Sequence, residues 1–139
     1  KSLGITCASK EGLLKTSDFV SLHVALSVET RHLIDGSALD CMRSHSFLIN
    51  TTRGPVVDES ALVEALKAGK IAGAGLDVYE NEPEVHPELV SMENVLLLPH
   101  LGTATLPVRI KMGMLAIDNC LAACQGKRPL YVVNPEIYT

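Results

Sequence analysis

The sequence predicts an α/β fold, a parallel sheet of about four strands with helices in the connections, forming part of a doubly wound arrangement. Three observations predict it. Four short apolar runs, Phe19–Leu26, Ser46–Asn50, Ile71–Val78 and Val95–Leu98, are each bounded by turn residues, as strands buried on both faces are. Helical stretches lie between runs, and that alternation gives parallel neighbours with right-handed crossovers, strand beside consecutive strand. Charged groups stand just past three successive runs: Arg53 after the second, Glu82 after the third and His100 after the fourth. Open sheets of this kind bind ligands beyond the carboxyl ends of their strands.

Taken in order, Leu3–Ala8 (LGITCA) reads as a minor strand, and Lys10–Lys15 as one or two helical turns broken by Thr16-Ser17-Asp18. After the first confident strand, Phe19–Leu26, a polar loop leads to a short helix around Ser37–Met42, entered through Asp35-Gly36-Ser37 as turn and cap. Ser46–Asn50 ends in Thr51-Thr52-Arg53-Gly54-Pro55. Asp58 is a suitable N-cap for a helix through Ala68, Glu59 suits the positive end of its dipole, and Gly69 closes it. Tyr79–Asn94 reads as an acidic, proline-punctuated loop, long enough to suggest function. A long helix is expected from about Thr105 to Cys124, with Ile110, Met114, Ile117 and Leu121 on one face. Gly126 ends it, and the remaining tail reads as extended.

The chain of 139 residues is expected to form one domain. It opens on Lys1 in mid-pattern without an initiator methionine, which predicts a fragment. A net charge of −4 argues against nucleic acid or an acidic membrane as partner. No apolar run is long enough to span a membrane, and no signal-peptide pattern is present. Cys7, Cys41, Cys120 and Cys124 lack metal-type spacing and read as reduced, mostly buried thiols, which points to a reducing, cytoplasmic compartment. No histidines are spaced as a ligand pair on one helix, so no metal site is expected. His23 reads as packing at a strand end, and His32, His45 and His86 as solvated.

A doubly wound sheet cradles a pyrophosphate with G-x-G-x-x-G after its first strand. That motif is absent, and Gly73-Ala74-Gly75 leads into a strand instead of following one. The expected fold is therefore a Rossmann-like sheet lacking its first βαβ unit. What remains carries a coherent set of groups. Neighbouring parallel strands lie only ~4.8 Å apart, so Glu82 and His100, just past adjacent strand ends, can meet as an acid/base pair. Reducing a 2-oxo acid requires a held carboxylate, a hydride to the carbonyl carbon and a proton to its oxygen. The planar fork of Arg53 suits the first task. His100 suits the last, and a nearby carboxylate favours its imidazolium and fixes its orientation. Taken singly, each has a plainer reading, as a turn arginine, a solvated acid or a helix cap; three at consecutive strand ends favour chemistry.

The segments FVSLHVALSVET, FLINTTRGPVVDESALVEALKAGKIAGAGLDVYENEP and NVLLLPHLGTAT resemble the D-isomer-specific 2-hydroxyacid dehydrogenases, glyoxylate/hydroxypyruvate reductases in particular. The resemblance implies that Arg53 binds the substrate carboxylate and carbonyl, Glu82 pairs with the histidine, and His100 is the general acid/base. It implies NAD or NADP as cofactor. Asp77 would bond the nicotinamide carboxamide, with a strand-end cap as its plainer reading. Thr51 and Thr52 would line the nicotinamide, Val24 and Ala25 the adenosine-side ribose, and Gly102 and Thr103 the nicotinamide end; Arg53 and His100 also border the cofactor. The family usually has proline where Ala25 stands. Its glycine-rich loop, the residue separating NAD from NADP, and its substrate domain would precede Lys1.

On this reading residues 1–126 are an incomplete NAD(P)-binding domain, and 127–139 a tail returning to a missing substrate domain. The expected function is a cytosolic reductase of glyoxylate, hydroxypyruvate or a similar small 2-oxo acid. The parent is expected to be a homodimer, and the isolated chain to have little or no activity. Two rivals are a dinucleotide-sensing, corepressor-like interaction module and an inactive truncated product. Formate dehydrogenases are disfavoured, because the resemblance would then require glutamine in place of Glu82.

Overall fold

The computed structural model describes residues 4–138, in two compact units, Lys1–Gly102 and Thr103–Thr139. In the first unit, β1 (Phe19–Leu22), β2 (Phe47–Asn50), β3 (Gly73–Leu76) and β4 (Val95–Leu97) form one parallel sheet in consecutive order, as the alternation of runs and helices predicts. The register aligns Leu22 with Asn50, Asn50 with Leu76, and Leu76 with Leu97, so the four carboxyl ends are level. Residues following the strands therefore emerge on one rim.

Alternation along the strands sends Val20, Leu22, Leu48, Ala74 and Leu76 into a single core with side chains from α1 (Lys10–Thr16), α2 (Gly36–Asp40) and α3 (Glu59–Lys67). Leu39, Leu48 and Leu62 are fully buried, each contributing about 1.5–3 kcal/mol relative to an exposed position. The opposite face is open: Phe19 is 68% and Leu96 63% exposed, and Phe19 stacks on Phe47 with ring centroids 5.5 Å apart. The sheet is thus covered on one side, where a run buried on both faces was expected.

The caps are the expected ones. Asp35 accepts the Ala38 N–H and Asp58 the Ala61 N–H, and Gly69, at φ +64°, lets the chain turn out of α3. Several expectations are corrected. Leu3 lies outside the described residues, and Gly4–Ala8 forms no strand: among the described residues β1 is the edge of the sheet and no segment pairs with its outer side. The runs Phe19–Leu26 and Ile71–Val78 are strand only over the residues that β2 can partner. The loop after β3 contains a short helix, α4 (Pro87–Val90), which starts on proline and buries Leu89. The cysteines are free but not mostly buried: Cys7, Cys120 and Cys124 are exposed and Cys41 half-buried. His45 is exposed, as expected of a solvated residue, and pairs with Asp18 at the surface; His32, bonded to Glu80, and His86, which caps α4, are half-buried.

The second unit is α5 (Leu106–Cys124) and its tail. Ile110, Met114, Ile117 and Leu121 form the expected stripe, yet α5 has no buried residue, which is why Cys120 and Cys124 are exposed. Gly126, at φ +69°, follows the helix as expected. The tail is not wholly extended, because Pro135–Tyr138 form a turn of 3₁₀-helix. No helix among the described residues is long and apolar enough to cross a membrane.

Candidate active site

The rim is assembled from three strand ends. At the end of β2, buried Asn50 organises the next three residues: its Oδ1 accepts the Thr52 N–H (3.1 Å) and hydroxyl (2.9 Å), and its Nδ2 donates to the Arg53 carbonyl (3.0 Å). An asparagine closing an apolar strand makes this Asx-type turn readily. Gly54 follows, and only glycine fits: a Cβ there would lie 1.9 Å from the carbonyl carbon and oxygen of Tyr79. The Arg53 turn is therefore seated directly on the peptide joining Tyr79 to Glu80.

The end of β3 supplies Asp77, Tyr79 and Glu82. The Asp77 N–H extends the ladder to the Asn50 carbonyl (3.0 Å). Tyr79 ties two arms together. Its N–H donates to Glu82 Oε1 (3.0 Å), and its hydroxyl donates to the Leu98 carbonyl beyond β4 (2.6 Å). Two residues past Leu98 comes His100, at φ +54°, a conformation that costs a non-glycine residue of order 1–3 kcal/mol unless its surroundings impose it. They do: the Leu101 N–H donates to Asp77 Oδ1 at 2.7 Å, and Asp77 is buried.

Glu82 Oε2 and His100 Nδ1 are 2.9 Å apart. An ionised carboxylate can only accept, so Nδ1 carries the proton and donates, leaving Nε2 as the nitrogen for proton exchange. The Glu82 carboxyl is held below its ordinary value, chiefly by this bond, with help from the Tyr79 N–H and the charges of His100 and Arg53, against the smaller opposing effect of burial. Each oxygen of Glu82 thus has one partner. Arg53 is exposed, with Nη1 donating to the Thr52 carbonyl (2.7 Å).

Val24, Ala25, Thr51, Thr52 and Arg53, with His23 and Leu26, line one cleft of about 560 Å³ beyond the ends of β1 and β2. A second recess of about 340 Å³, lined by Tyr79, Glu82, Pro83, Val85, Leu97, Leu98 and Pro99, lies beside the acid/base pair. Asp77 has Oδ2 without a hydrogen bond among the described residues, its Oδ1 being used as a clamp. Gly102 is exposed at the end of the first unit, and Thr103 is exposed in the second. The structure therefore joins Glu82 to His100, sets Arg53 within electrostatic reach of Glu82, and groups Val24, Ala25, Thr51 and Thr52 at the neighbouring cleft. Sequence reasoning missed Asn50, Gly54 and Tyr79. A polar residue closing an apolar strand was the available signal for Asn50; the other two act through backbone contacts that no spacing reveals.

With this geometry established, comparison with known proteins is informative. The family model described as D-isomer specific 2-hydroxyacid dehydrogenase, NAD binding domain, matches residues 1–102. A glyoxylate reductase of Thermococcus litoralis is 47% identical over 139 residues, covering 100% of this chain and 42% of its own length. One from Aeropyrum pernix is 48% identical over 139 residues, covering 99% and 41%. The chain thus spans about two fifths of the length of these curated relatives. Among solved structures, a glyoxylate reductase from Paecilomyes thermophila superposes with a TM-score of 0.79 at 42% identity, over 93% of this chain and 39% of that one. An NADPH-dependent glyoxylate/hydroxypyruvate reductase from Sinorhizobium meliloti, in complex with NADP and malonate, gives 0.81 at 41% identity, over 88% and 39%. On sequence and fold alike, the chain belongs to the D-isomer specific 2-hydroxyacid dehydrogenase family, in its NAD-binding domain.

Proposed function

We propose that the protein carrying this chain is a cytosolic oxidoreductase that reduces a small 2-oxo acid such as glyoxylate or hydroxypyruvate with NADH or NADPH, and runs the reverse reaction on the 2-hydroxy acid. The observation that carries the reading is the 2.9 Å bond between Glu82 and His100 on the rim that also bears Arg53. The relatives named glyoxylate reductase support the substrate class, and the reductase structure in complex with NADP supports the cofactor class.

The residues present fit such a cofactor. The cleft beyond β1 and β2 offers the hydroxyls of Thr51 and Thr52 beside the apolar surface of Val24 and Ala25. Asp77 keeps one carboxylate oxygen to accept from an amide. In this proposal Gly102 and Thr103 border the nicotinamide end. The bound cofactor supplies the hydride, and this chain's own groups do the rest. Arg53 holds the substrate carboxylate through paired N–H donors of its planar guanidinium. His100 Nε2 gives its proton to the carbonyl oxygen as negative charge develops there, and Glu82, accepting Nδ1–H, orients the ring and balances the imidazolium charge before the transfer. The relatives extend well beyond the length matched, so the isolated chain is expected to show little or no turnover. The proposal also takes the protein that carries it to work as a homodimer.

The test is NAD(P)H oxidation by the protein that carries this chain, with glyoxylate and hydroxypyruvate as substrates. Turnover that Arg53→Ala impairs in both kcat and KM supports the proposal, since carboxylate binding persists into the transition state. Absence of turnover with either cofactor rejects it. One observation favours a second reading, an inactive truncated product: β1 is paired on one side only, and an open edge strand invites aggregation. Expression of the 139-residue chain as soluble monomer or dimer would count against that reading.

A further inference from the structure

Glu59 is a charged residue with only 6% of its surface exposed, and it has no part in the proposed chemistry. It stands in the first turn of α3, but Asp58 already caps that helix through the Ala61 N–H. Glu59 Oε1 instead accepts the main-chain N–H of Glu80 at 2.6 Å. Glu80 reciprocates: its Oε2 accepts the Glu59 N–H (3.4 Å), while its Oε1 is held by His32 Nε2 (2.6 Å) and Arg31 Nη2 (3.2 Å). Burial pushes the Glu59 carboxyl above its ordinary value, with the neighbouring negative charges of Glu80 and Glu82 adding to it. The Glu80 N–H and the charge of His86 act the other way. A buried acid is expensive to keep, and helix capping does not require this one.

The peptide that Glu59 grips is the one against which Gly54 is seated, and the Tyr79 N–H, in the peptide unit immediately before it, donates to Glu82. It therefore lies between the Arg53 turn, α3 and the acid/base pair. We infer that Glu59 is a positioning residue: by anchoring the Glu80 N–H to α3 it fixes the Tyr79–Glu80 peptide, and through Tyr79 it keeps the Glu82 carboxylate in reach of His100. This rests on the reading of Glu82 and His100 as the acid/base pair. Its consequence is that the pair is set by a residue in the first turn of α3 that bonds to neither member of the pair.

The test is a carbon-13 NMR titration of side-chain carboxyls in the 139-residue chain, with Glu82 assigned from Glu82→Gln. Glu59→Gln keeps an oxygen acceptor for the Glu80 N–H and loses the charge; Glu59→Leu keeps bulk and loses the acceptor. The Glu82 midpoint is expected to stay at or below wild type in Glu59→Gln and to rise by about half a unit or more in Glu59→Leu, as its stabilising bonds loosen. If Glu59 is only an electrostatic neighbour, neither variant raises the midpoint, because Glu59, held above its ordinary value by burial, carries little charge where Glu82 titrates. That outcome, or no change in Glu59→Leu, overturns the proposal. Should Glu59→Leu not fold, Glu59→Asp, one methylene short of the Glu80 N–H, carries the same expectation. His100→Ala, which removes the Nδ1 donor, separates failure of the positioning role from failure of the pair. It must raise the Glu82 midpoint if the pair exists, and its failure to do so overturns the pair itself along with the role of Glu59.

Discussion

Asp77 Oδ1 accepts the Leu101 N–H at 2.7 Å, so a buried carboxylate at the end of one strand fixes the backbone beyond the next, immediately after His100. His100 sits at φ +54°, and this clamp helps to hold it there. Asp77→Ala leaves the Leu101 N–H unpaired and should cost about 1–3 kcal/mol. Asp77→Asn retains an acceptor and should cost less. Urea denaturation of the two variants side by side checks the order; equal losses would mean that charge, not the acceptor, is what matters.

Gly54 is expected to tolerate no side chain. A Cβ would meet Tyr79 backbone at 1.9 Å, and backbone cannot yield as a flexible side-chain tip can. Gly54→Ala should therefore lose about 3 kcal/mol or more, beyond the usual range for overpacking. Thermal unfolding followed by circular dichroism measures it. A melting point matching wild type would show that the Arg53 turn is not seated on the Tyr79–Glu80 peptide.

The two faces of β2 should respond differently to truncation. Leu48 is fully buried, whereas Phe47, next in line, is 40% exposed on the open face. Leu48→Ala is expected to cost about 2–5 kcal/mol, and Phe47→Ala distinctly less despite removing the larger side chain. Comparable losses would imply that the open face is covered in solution.

Glu59 and Glu82 impose pH dependences of opposite sign. The Glu82 carboxyl is lowered on folding, mainly by His100, so its stabilisation is present above its ordinary value of 4.5 and is lost as pH falls through the folded value. The Glu59 carboxyl is raised, mainly by burial, so its contribution is present below 4.5 and is lost as pH rises through the folded value. Glu59→Gln should flatten the decline on the alkaline side of 4.5, and Glu82→Gln the decline on the acid side. Urea midpoints across the acidic to neutral range test both; a Glu59→Gln profile with the wild-type slope would contradict an upward shift at Glu59.

The sheet was legible because its signals are local. Runs such as Phe47–Asn50 and caps such as Asp35, Asp58 and Gly69 carry their structure in a few neighbouring residues. The Glu82–His100 pairing followed from the same logic, two adjacent parallel strands ending level. Strand lengths were misjudged because a ladder extends only as far as its partner, and β2 stops at Asn50. The strand expected over Gly4–Ala8 was misjudged because apolar character alone does not supply a neighbour to pair with. α4 was hidden by its brevity, four residues giving no periodicity to read. Gly54, Tyr79 and Glu59 were invisible as site-builders, since their roles depend on which backbone meets which across the rim. The pairing of His32 with Glu80, 48 residues apart, belongs with them.

The most direct test of the central claim is the effect of His100→Ala on steady-state reduction of glyoxylate or hydroxypyruvate by the protein that carries this chain. If His100, aligned by Glu82, delivers the proton, kcat falls by roughly 10²–10⁴-fold while KM changes little. A kcat equal to that of the unaltered protein would contradict the account.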